Sequence, residues 1–521
     1  MNRRWFRTLF RRRVLVILML LIQAVFLIYL ITSTSRVSQI FSNVLTLVSL
    51  LAVLYIVSKK DKGAYKTTWV FLILSFPLFG GLLYLLFYFQ TSGSRQIQKL
   101  KKLADKAAPL ALLPLDTCGE DAFTEDTYIK AGKGLDHRFT QVRYLQEHAG
   151  FPIYASTTTK YFSPGEEMLK ALLPELWKAE KYIFLEFFIV EEGLMWDSIL
   201  EILKEKASQG VKVRLIYDDL GCFLLLPNDY PEQLKKYGIE CLKFNPFRPL
   251  LTVKQNNRDH RKIISIDGKV AFTGGVNLAD EYINAVAKFG HWKDCALMIQ
   301  GKAAWSFTLM FLQMWELCTG QDEDYSAYYP WANVPCDITS DGFVQPYADS
   351  PSDGENVGEH VYLQILNQAQ DYVYINTPYL IVDDSMVSAL TLTAKRGVDV
   401  RIITPHRWDK WIIHMTTRSY YRELVKAGVK IYEYTSGFNH AKTFVSDDRT
   451  ATVGTTNLDF RSLYLHFECG ALIFDSTAVM EVKEDFIKTL KVCQPVTEKD
   501  CNPSVVMRLF QDILRLFAPL M

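Results

Sequence analysis

The stretch HAKTFVSDDRTATVGTTN, His440 to Asn457, repeats the polar skeleton of DHRKIISIDGKVAFTGGVN, Asp259 to Asn277. Both read His, one residue, Lys, four residues, Asp, six residues, Gly, two residues, Asn. Side chains alternate faces along a strand, so His260 and Lys262 emerge together, as do His440 and Lys442. The apolar residues that follow carry each strand to a turn at Asp267-Gly268 or Asp447-Asp448. Asp267 and Asp447 thus stand at the far end of their strands, where holding the turn is a stronger reading than touching a substrate. The chain then returns along VAFTGGVN or ATVGTTN, bringing Asn277 and Asn457 back toward the His and Lys. Gly274 and Gly454 leave room there for a ligand close to the backbone. One such match is weak evidence, but two with Gly and Asn at the same later offsets are strong.

The duplication reaches well beyond the motif. EEMLKALLPELWKAEKYIFLEFFIV predicts an amphipathic helix running into an apolar strand, followed by a helical SILEILKEKASQ and a strand in GVKVRLIYDD. HVYLQILNQAQDYVYINTPYLIV, SALTLTAKR and GVDVRIITPH give the same order again. Gly210 precedes His260 by fifty residues and Gly397 precedes His440 by forty-three, so the halves align along their length. A segment rich in Pro, Gly, Ser, Asp and Tyr joins them across the surface.

A chain of 521 residues is too long for one ordinary core, and two similar units plus a further part are expected. The further part is N-terminal. Apolar runs at about 14–32, 37–57 and 67–89 approach the roughly 20 residues that cross a bilayer as helix. Six Arg before residue 14 and Lys59, Lys60, Lys62 and Lys66 place two flanks on the cytoplasmic side. Arg95, Lys99, Lys101, Lys102 and Lys106 after the third run conflict with three simple crossings. The charges, together with Pro77, Gly80 and Gly81, favour a re-entrant or interfacial third segment, with the catalytic part on the cytoplasmic side of the membrane.

A formal charge of +1 gives no basic field for nucleic acid, and nine scattered Cys with no C-x-x-C pair support neither a zinc site nor a disulfide framework. The tail NPSVVMRLFQDILRLFAPLM puts Val506, Leu509, Phe510, Ile513, Leu514 and Phe517 on one stripe opposite Arg508, Gln511, Asp512 and Arg515. A docked terminal helix and an interfacial membrane helix fit that pattern equally.

If the halves pack about a pseudo-two-fold axis, the copies make one pocket with two His, two Lys and two Asn. Chemistry at phosphorus uses such a pair: one imidazole attacks, the other protonates the departing alkoxide and then serves as base for the incoming alcohol. The ammonium and amide groups stabilise charge on the non-bridging oxygens. No metal or other cofactor is expected, because a Lys two residues from each His repels a divalent ion and suits an anionic phosphate. A purely structural histidine pair is the bland alternative, and the duplication counts against it.

NNRDHRKIISIDGKVAFTGGVNLADEY with GHWKDCALMIQG, and GFNHAKTFVSDDRTATVGTTNLDFRSLYLHFECGALIFD, resemble the two signature regions of the phospholipase D superfamily, specifically of bacterial cardiolipin synthases. The resemblance extends through IFLEFFIV, GVKVRLIYDDLG, NTPYLIVDD and the apolar WVFLILSFPLFGGLLYLLFY. It implies an α/β fold of two homologous domains, each a mixed sheet flanked by helices, packed with pseudo-two-fold symmetry and preceded by membrane helices. The expected layout is a membrane region 1–92, a linker 93–134, domains at 135–325 and 359–495 around a connecting segment 326–358, and a C-terminal amphipathic helix 496–521. It further implies that His260 is the nucleophile and His440 the general acid and base. Lys262, Lys442, Asn277 and Asn457 would surround the phosphate, and Asp294 and Glu468 would orient the histidines; Asp267 and Asp447 complete the candidate set. FTGGVN and VGTTN depart from the Gly-Ser that many relatives carry before the Asn, which predicts the loss of one auxiliary hydrogen bond.

The implied activity is phosphatidyl transfer between two phosphatidylglycerol molecules in the bilayer, giving cardiolipin and glycerol. A membrane-bound lipid hydrolase or another phosphatidyltransferase is the nearest rival. A nuclease and a non-catalytic scaffold are disfavoured, the first by the charge and the anchors, the second by two intact motifs.

Overall fold

The computed structural model describes residues 25, 36–60, 62–76, 80–81, 84, 94–111, 123–246, 256–331, 338–351 and 354–521. The Arg-rich start and, apart from Val25, the first apolar run lie outside the described residues. Two compact units result, one from 1–94, 247–256 and 515–521, the other from 95–246 and 257–514.

In the first unit the second apolar run forms helix α1 (Arg36–Ser58) and the start of the third forms α2 (Gly63–Ser75). Leu47, Leu51 and Leu54 of α1 are exposed, while Ile56 joins Trp69, Leu72, Ile73 and Tyr84 in a small core. A straight helix would hold Tyr84 about 22 Å from Trp69. Their ring centroids are 5.3 Å apart. A Cβ on Gly80 would lie 2.5 Å from the Leu72 carbonyl oxygen, so Gly80 and Tyr84 both lie against α2. Among the described residues no helix is long and apolar enough to cross a membrane.

The second unit is the duplicated fold. The first half comprises β1 (Thr157–Phe162), α3 (Gly165–Trp177), β2 (Tyr182–Phe187), α4 (Leu194–Ser208), β3 (Lys212–Asp218), α5 (Tyr230–Lys235) and β4 (Glu240–Phe244). It closes with β5 (Lys262–Ile266), β6 (Val270–Gly274), β7 (Ala296–Gly301) and α6 (Ala304–Thr319). The second half repeats this as β8 (Phe343–Asp349), α7 (Val357–Gln368), β9 (Tyr372–Asn376), α8 (Asp384–Lys395), β10 (Asp399–Pro405), α9 (Trp411–Lys426) and β11 (Lys430–Tyr434). Then come β12 (Thr443–Ser446), β13 (Thr450–Gly454), β14 (Glu468–Phe474), α10 (Thr477–Leu490), an added β15 (Cys493–Pro495) and the C-terminal α11 (Val505–Phe517).

The first sheet runs β1-β7-β6-β5-β2-β3-β4 and the second β8-β14-β13-β12-β9-β10-β11-β15, so each strand of the first has its counterpart in the second, which adds β15 at its edge. β2, β3 and β4 are parallel to one another and β5 is antiparallel to β2, an arrangement that β9 to β12 repeat. Every residue of β2 and β9 is buried, which is why those segments read as continuous apolar runs. The inner faces of both sheets share one core, in which Ile263, Ala271, Leu297 and Ile299 meet Val445, Ala451, Val453 and Ile473.

Two expected boundaries shift. The first strand of the second repeat, β8, lies inside the segment read as a connection, because its Pro, Gly and Asp neighbours outweigh its alternation. Residues 136–148, assigned to the first domain, bind the second half: Arg138 pairs with Asp475 at 3.0 Å and the Gln141 amide donates to the Val361 carbonyl at 3.1 Å.

Candidate active site

Both histidines lie just before β5 and β12, at the carboxyl ends of the parallel strands, where open α/β sheets leave a crevice. Their backbones are stitched to the opposite half. The His260 N–H donates to the Phe467 carbonyl at 3.0 Å, and the His440 N–H donates to the Lys293 carbonyl at 2.7 Å. Residues 437–439 run parallel to 291–293, and Asp259 bridges to Phe467 in the same sense. Each histidine is therefore laid beside the residue that precedes the other half's carboxylate.

The side chains complete the exchange. Nδ1 of His260 is 2.9 Å and 3.0 Å from the two carboxylate oxygens of Glu468, and Nδ1 of His440 is 2.7 Å from Oδ2 of Asp294. Neither half alone can orient its own imidazole. With Nδ1 committed to a carboxylate, Nε2 is the nitrogen left for a substrate. Asp294 and Glu468 are fully buried and each histidine is 7% exposed.

Burial pushes His260 well below the ordinary imidazole range, helped by Lys262, and pushes His440 down to about 4, helped by Lys442 and opposed by Asp294. Burial alone would raise Asp294, but the charges of His440 and Lys442 outweigh it and hold the carboxyl below its usual value. Glu468 moves the other way, pushed well up by burial against the pull of Lys262. Burial takes Lys262 down to about 7, with Glu468 opposing and Lys442 adding to the fall, and takes Lys442 down to about 8. The ammonium of Lys262 donates to the His260 carbonyl at 2.7 Å, and that of Lys442 donates to the His440 carbonyl. Two buried lysines with depressed pKa values, the charge of Lys442 adding to the fall of Lys262, make a site suited to an anion.

Asp267 and Asp447 are elsewhere. The carboxylate of Asp267 accepts the N–H groups of Glu180, Lys181 and Tyr182 at 2.7–2.8 Å, and that of Asp447 those of Gln370, Asp371 and Tyr372 at 2.8–3.0 Å. Both residues have positive φ at the turn, 52° and 53°. They anchor the entry to β2 and β9 at the end remote from the histidines, so the structure removes them from the reacting set. Asn277 donates to the Tyr282 hydroxyl at 2.8 Å and accepts the Ile189 N–H at 3.1 Å, while Oδ1 of Asn457 is buried without a hydrogen-bond partner. Gly274 and Gly454 do not open the backbone to a ligand. A Cβ at these positions would meet the carbonyl oxygens of Cys295 at 2.4 Å and Cys469 at 2.6 Å, so the room is taken by the neighbouring strand.

The departure at the Gly-Ser position also resolves differently in each half. Thr455 keeps a hydroxyl and donates it to Glu468, whereas a Cβ on Gly275 would lie 2.0 Å from Oδ1 of Asp294. Asp294 is held instead by the Cys295 N–H at 2.8 Å and the indole N–H of Trp292 at 3.3 Å. The sequence reading missed Trp292, Tyr282 and His466. Aligning HWKDC with LHFEC sets Trp292 against His466, each two residues before the carboxylate and so on its face. Trp292 and Tyr282 pack on His440 with centroids 5.4 Å and 5.6 Å away; His466 packs on His260 at 5.6 Å, and neither of its ring nitrogens has a hydrogen-bond partner.

Among the described residues, His260, His466 and Glu468 bring ligand-type atoms within 4.8 Å of one another. Glu468 already accepts from His260 and Thr455, and two lysines act on the same space, so the donor set suits an anion better than a divalent cation.

Comparison with known proteins gives the same picture. The family model described as cardiolipin synthase, PLD-like domain matches residues 172–315 and 362–490, and the phospholipase D-nuclease N-terminal model matches 44–87. Cardiolipin synthases of Geobacillus sp. strain WCH70 and Alkalihalophilus pseudofirmus are 34% and 35% identical, covering 92% and 87% of this chain and 93% and 88% of their own. An uncharacterized protein of Streptococcus mutans is 44% identical over 90% of this chain and 99% of its own. The crystal structure of phosphatidylserine synthase from Haemophilus influenzae Rd KW20 superimposes with a TM-score of 0.55 at 15% identity, over 73% of this chain and 100% of that one, a likeness of fold. With both halves matched and the relatives spanning nearly its whole length, the chain belongs to the cardiolipin synthase family of phospholipase D-like phosphatidyltransferases.

Proposed function

We propose that the protein transfers the phosphatidyl group of one phosphatidylglycerol to a hydroxyl of a second, releasing glycerol and forming cardiolipin. The observation that carries the reading is the crossed pairing, His260 with Glu468 and His440 with Asp294, around two buried lysines. Nε2 of His260 attacks phosphorus: the N–P bond forms and the P–O bond to glycerol breaks. His440 gives its proton to the departing alkoxide. In the second step His440 takes the proton of the acceptor hydroxyl, the new P–O bond forms and the N–P bond breaks, restoring both imidazoles. Lys262, Lys442, Asn277 and Asn457 stabilise the non-bridging oxygens.

The asymmetry of the site supports this assignment. The ionised Asp294 opposes the burial that takes His440 down to about 4, a pull toward imidazolium that a proton carrier needs. His260, held well below the ordinary imidazole range, keeps the lone pair of a nucleophile. Family membership, the apolar N-terminal runs and the basic flanks support a multi-pass place in the bacterial cell membrane, with the catalytic unit on the cytoplasmic side. Membranes containing the protein, supplied with labelled phosphatidylglycerol, should release glycerol and accumulate a four-chain lipid. Release of phosphatidic acid instead would replace transfer by hydrolysis, with water resolving the same intermediate.

A further inference from the structure

Helix α11 buries Leu514 but leaves much of its apolar face outside. Its apolar residues Val505, Val506, Leu509 and Ile513 are 82%, 79%, 61% and 46% exposed, while Gln511 and Met507 turn inward. They line a cavity of about 460 Å³ walled also by Arg418, Glu433 and Gln494. A helix docked only for stability would bury those four residues. Phe510 stacks on Trp411 with centroids 5.6 Å apart, and Trp411, Trp408 and Ile412 are themselves 44%, 52% and 49% exposed. The apolar face thus continues from α11 onto the first turn of α9 and the loop between β10 and α9.

That loop borders the reacting groups. The Tyr379 hydroxyl donates to Asp409 at 2.7 Å, Asp409 acts electrostatically on Tyr282, which packs on His440, and the charge of Lys410 reaches His466. The equivalent loop after β3, in the other half, exposes Leu220 and Leu224 at 41% and 72%. Two exposed indoles and the exposed cations Arg407 and Lys410 accompany the apolar face, the combination that suits the boundary of an anionic bilayer.

We infer that the exposed face of α11, with Trp408, Trp411 and Ile412, is a lipid-docking surface that seats the catalytic unit on an anionic bilayer beside the entrance to the histidine pair. This rests on the lipid reaction proposed above. The N-terminal segments tether the chain; this surface presents the site to lipid. Its apolar stripe enters the headgroup boundary while Arg407 and Lys410 meet lipid phosphates.

The test uses the full chain in bilayer discs of phosphatidylcholine with phosphatidylglycerol. Acyl-brominated lipid should quench indole fluorescence, and W408F/W411F should remove a large part of that quenching. In parallel, L509S/I513S should lower kcat/KM on vesicle phosphatidylglycerol by about tenfold and leave turnover of dispersed short-chain phosphatidylglycerol unchanged. Quenching that W408F/W411F leaves intact, or equal losses on both substrates, would overturn the docking surface. Self-association in detergent that L509S/I513S abolishes, with vesicle turnover unaffected, would also overturn it and assign the face to a second copy. Absence of wild-type turnover on either substrate would sink the proposed reaction instead, whatever the quenching shows.

Discussion

Beneath His260 the first half buries charge; beneath His440 the second half buries amides. Glu186, Asp259 and Arg261 occupy the places that Asn376, Asn439 and Ala441 hold in the other sheet. Arg261 lies 3.7 Å from Glu186 and donates to the Glu468 carbonyl at 3.3 Å, and Arg258 makes a fully buried pair with Asp218 at the end of β3. Burial pushes Glu186 well up and Asp259 to about 6. In the second half the Asn439 amide donates to Asn376 and to the Ile403 carbonyl, both at 3.2 Å, with no charge involved. The duplicated backbone is thus supported by unlike chemistry, and the two histidines, alike in sequence, stand in different fields.

Substitutions at equivalent positions sharpen that contrast. The largest difference is expected at the carboxylates: Asp294→Asn should cost on the order of 10³-fold in kcat by depriving the proton carrier of its ionised partner. Glu468→Gln should cost nearer 10²-fold, because an amide oxygen still accepts Nδ1–H and the nucleophile works uncharged. Next in size is stability. Asn439→Asp buries a carboxylate where Ala441 offers no counterion and should destabilise by about 3 kcal/mol, whereas Asp259→Asn should cost less than half of that in a denaturant titration. If the two prove equal, the halves are supported alike and the comparison fails.

At the position before Val276 and Thr456 the halves should again respond unequally. Gly275→Thr drives a side chain into Asp294 and should lower kcat about 100-fold, the larger share of the Asp294 effect. Thr455→Gly forfeits one hydrogen bond to Glu468 and should cost about fivefold.

The smallest effect is that of pH on the unliganded site. Lys262 and Lys442 lose their charge as pH rises through about 7 and about 8, so affinity for an anionic diester should weaken above that range and KM should climb. His260 is held well below ordinary imidazole values, so acidification through the usual imidazole range should leave it free to attack. A KM that stays flat to pH 9 would show that the two lysines do not lose their charge in that range, or do not bind the phosphate.

Most of the fold was legible because the duplication announces itself: the repeated motif, GVKVRLIY against GVDVRIIT, and buried parallel strands written as apolar runs. β8 was lost in a segment whose Pro and Gly content reads as loop. The crossed pairing was beyond reach, since which half supplies a histidine's carboxylate depends on how two sheets meet and no local spacing encodes it. Gly275 and Thr455 read as equal departures from a pattern, and only the 2.0 Å approach to Asp294 distinguishes a forbidden side chain from a used one. Aligning the two acidic motifs would have exposed Trp292 and His466, a signal present in the residues themselves.

The most direct test of the account is to quench the protein during turnover of labelled phosphatidylglycerol and map the acid-labile phosphoryl adduct. The unlike fields predict it on His260 in the wild type, accumulating when His440 is replaced by Ala and a substrate with a good leaving group is supplied, and absent from His260→Ala. A label found on His440, or an undiminished adduct in His260→Ala, would contradict the assignment of roles to the two halves.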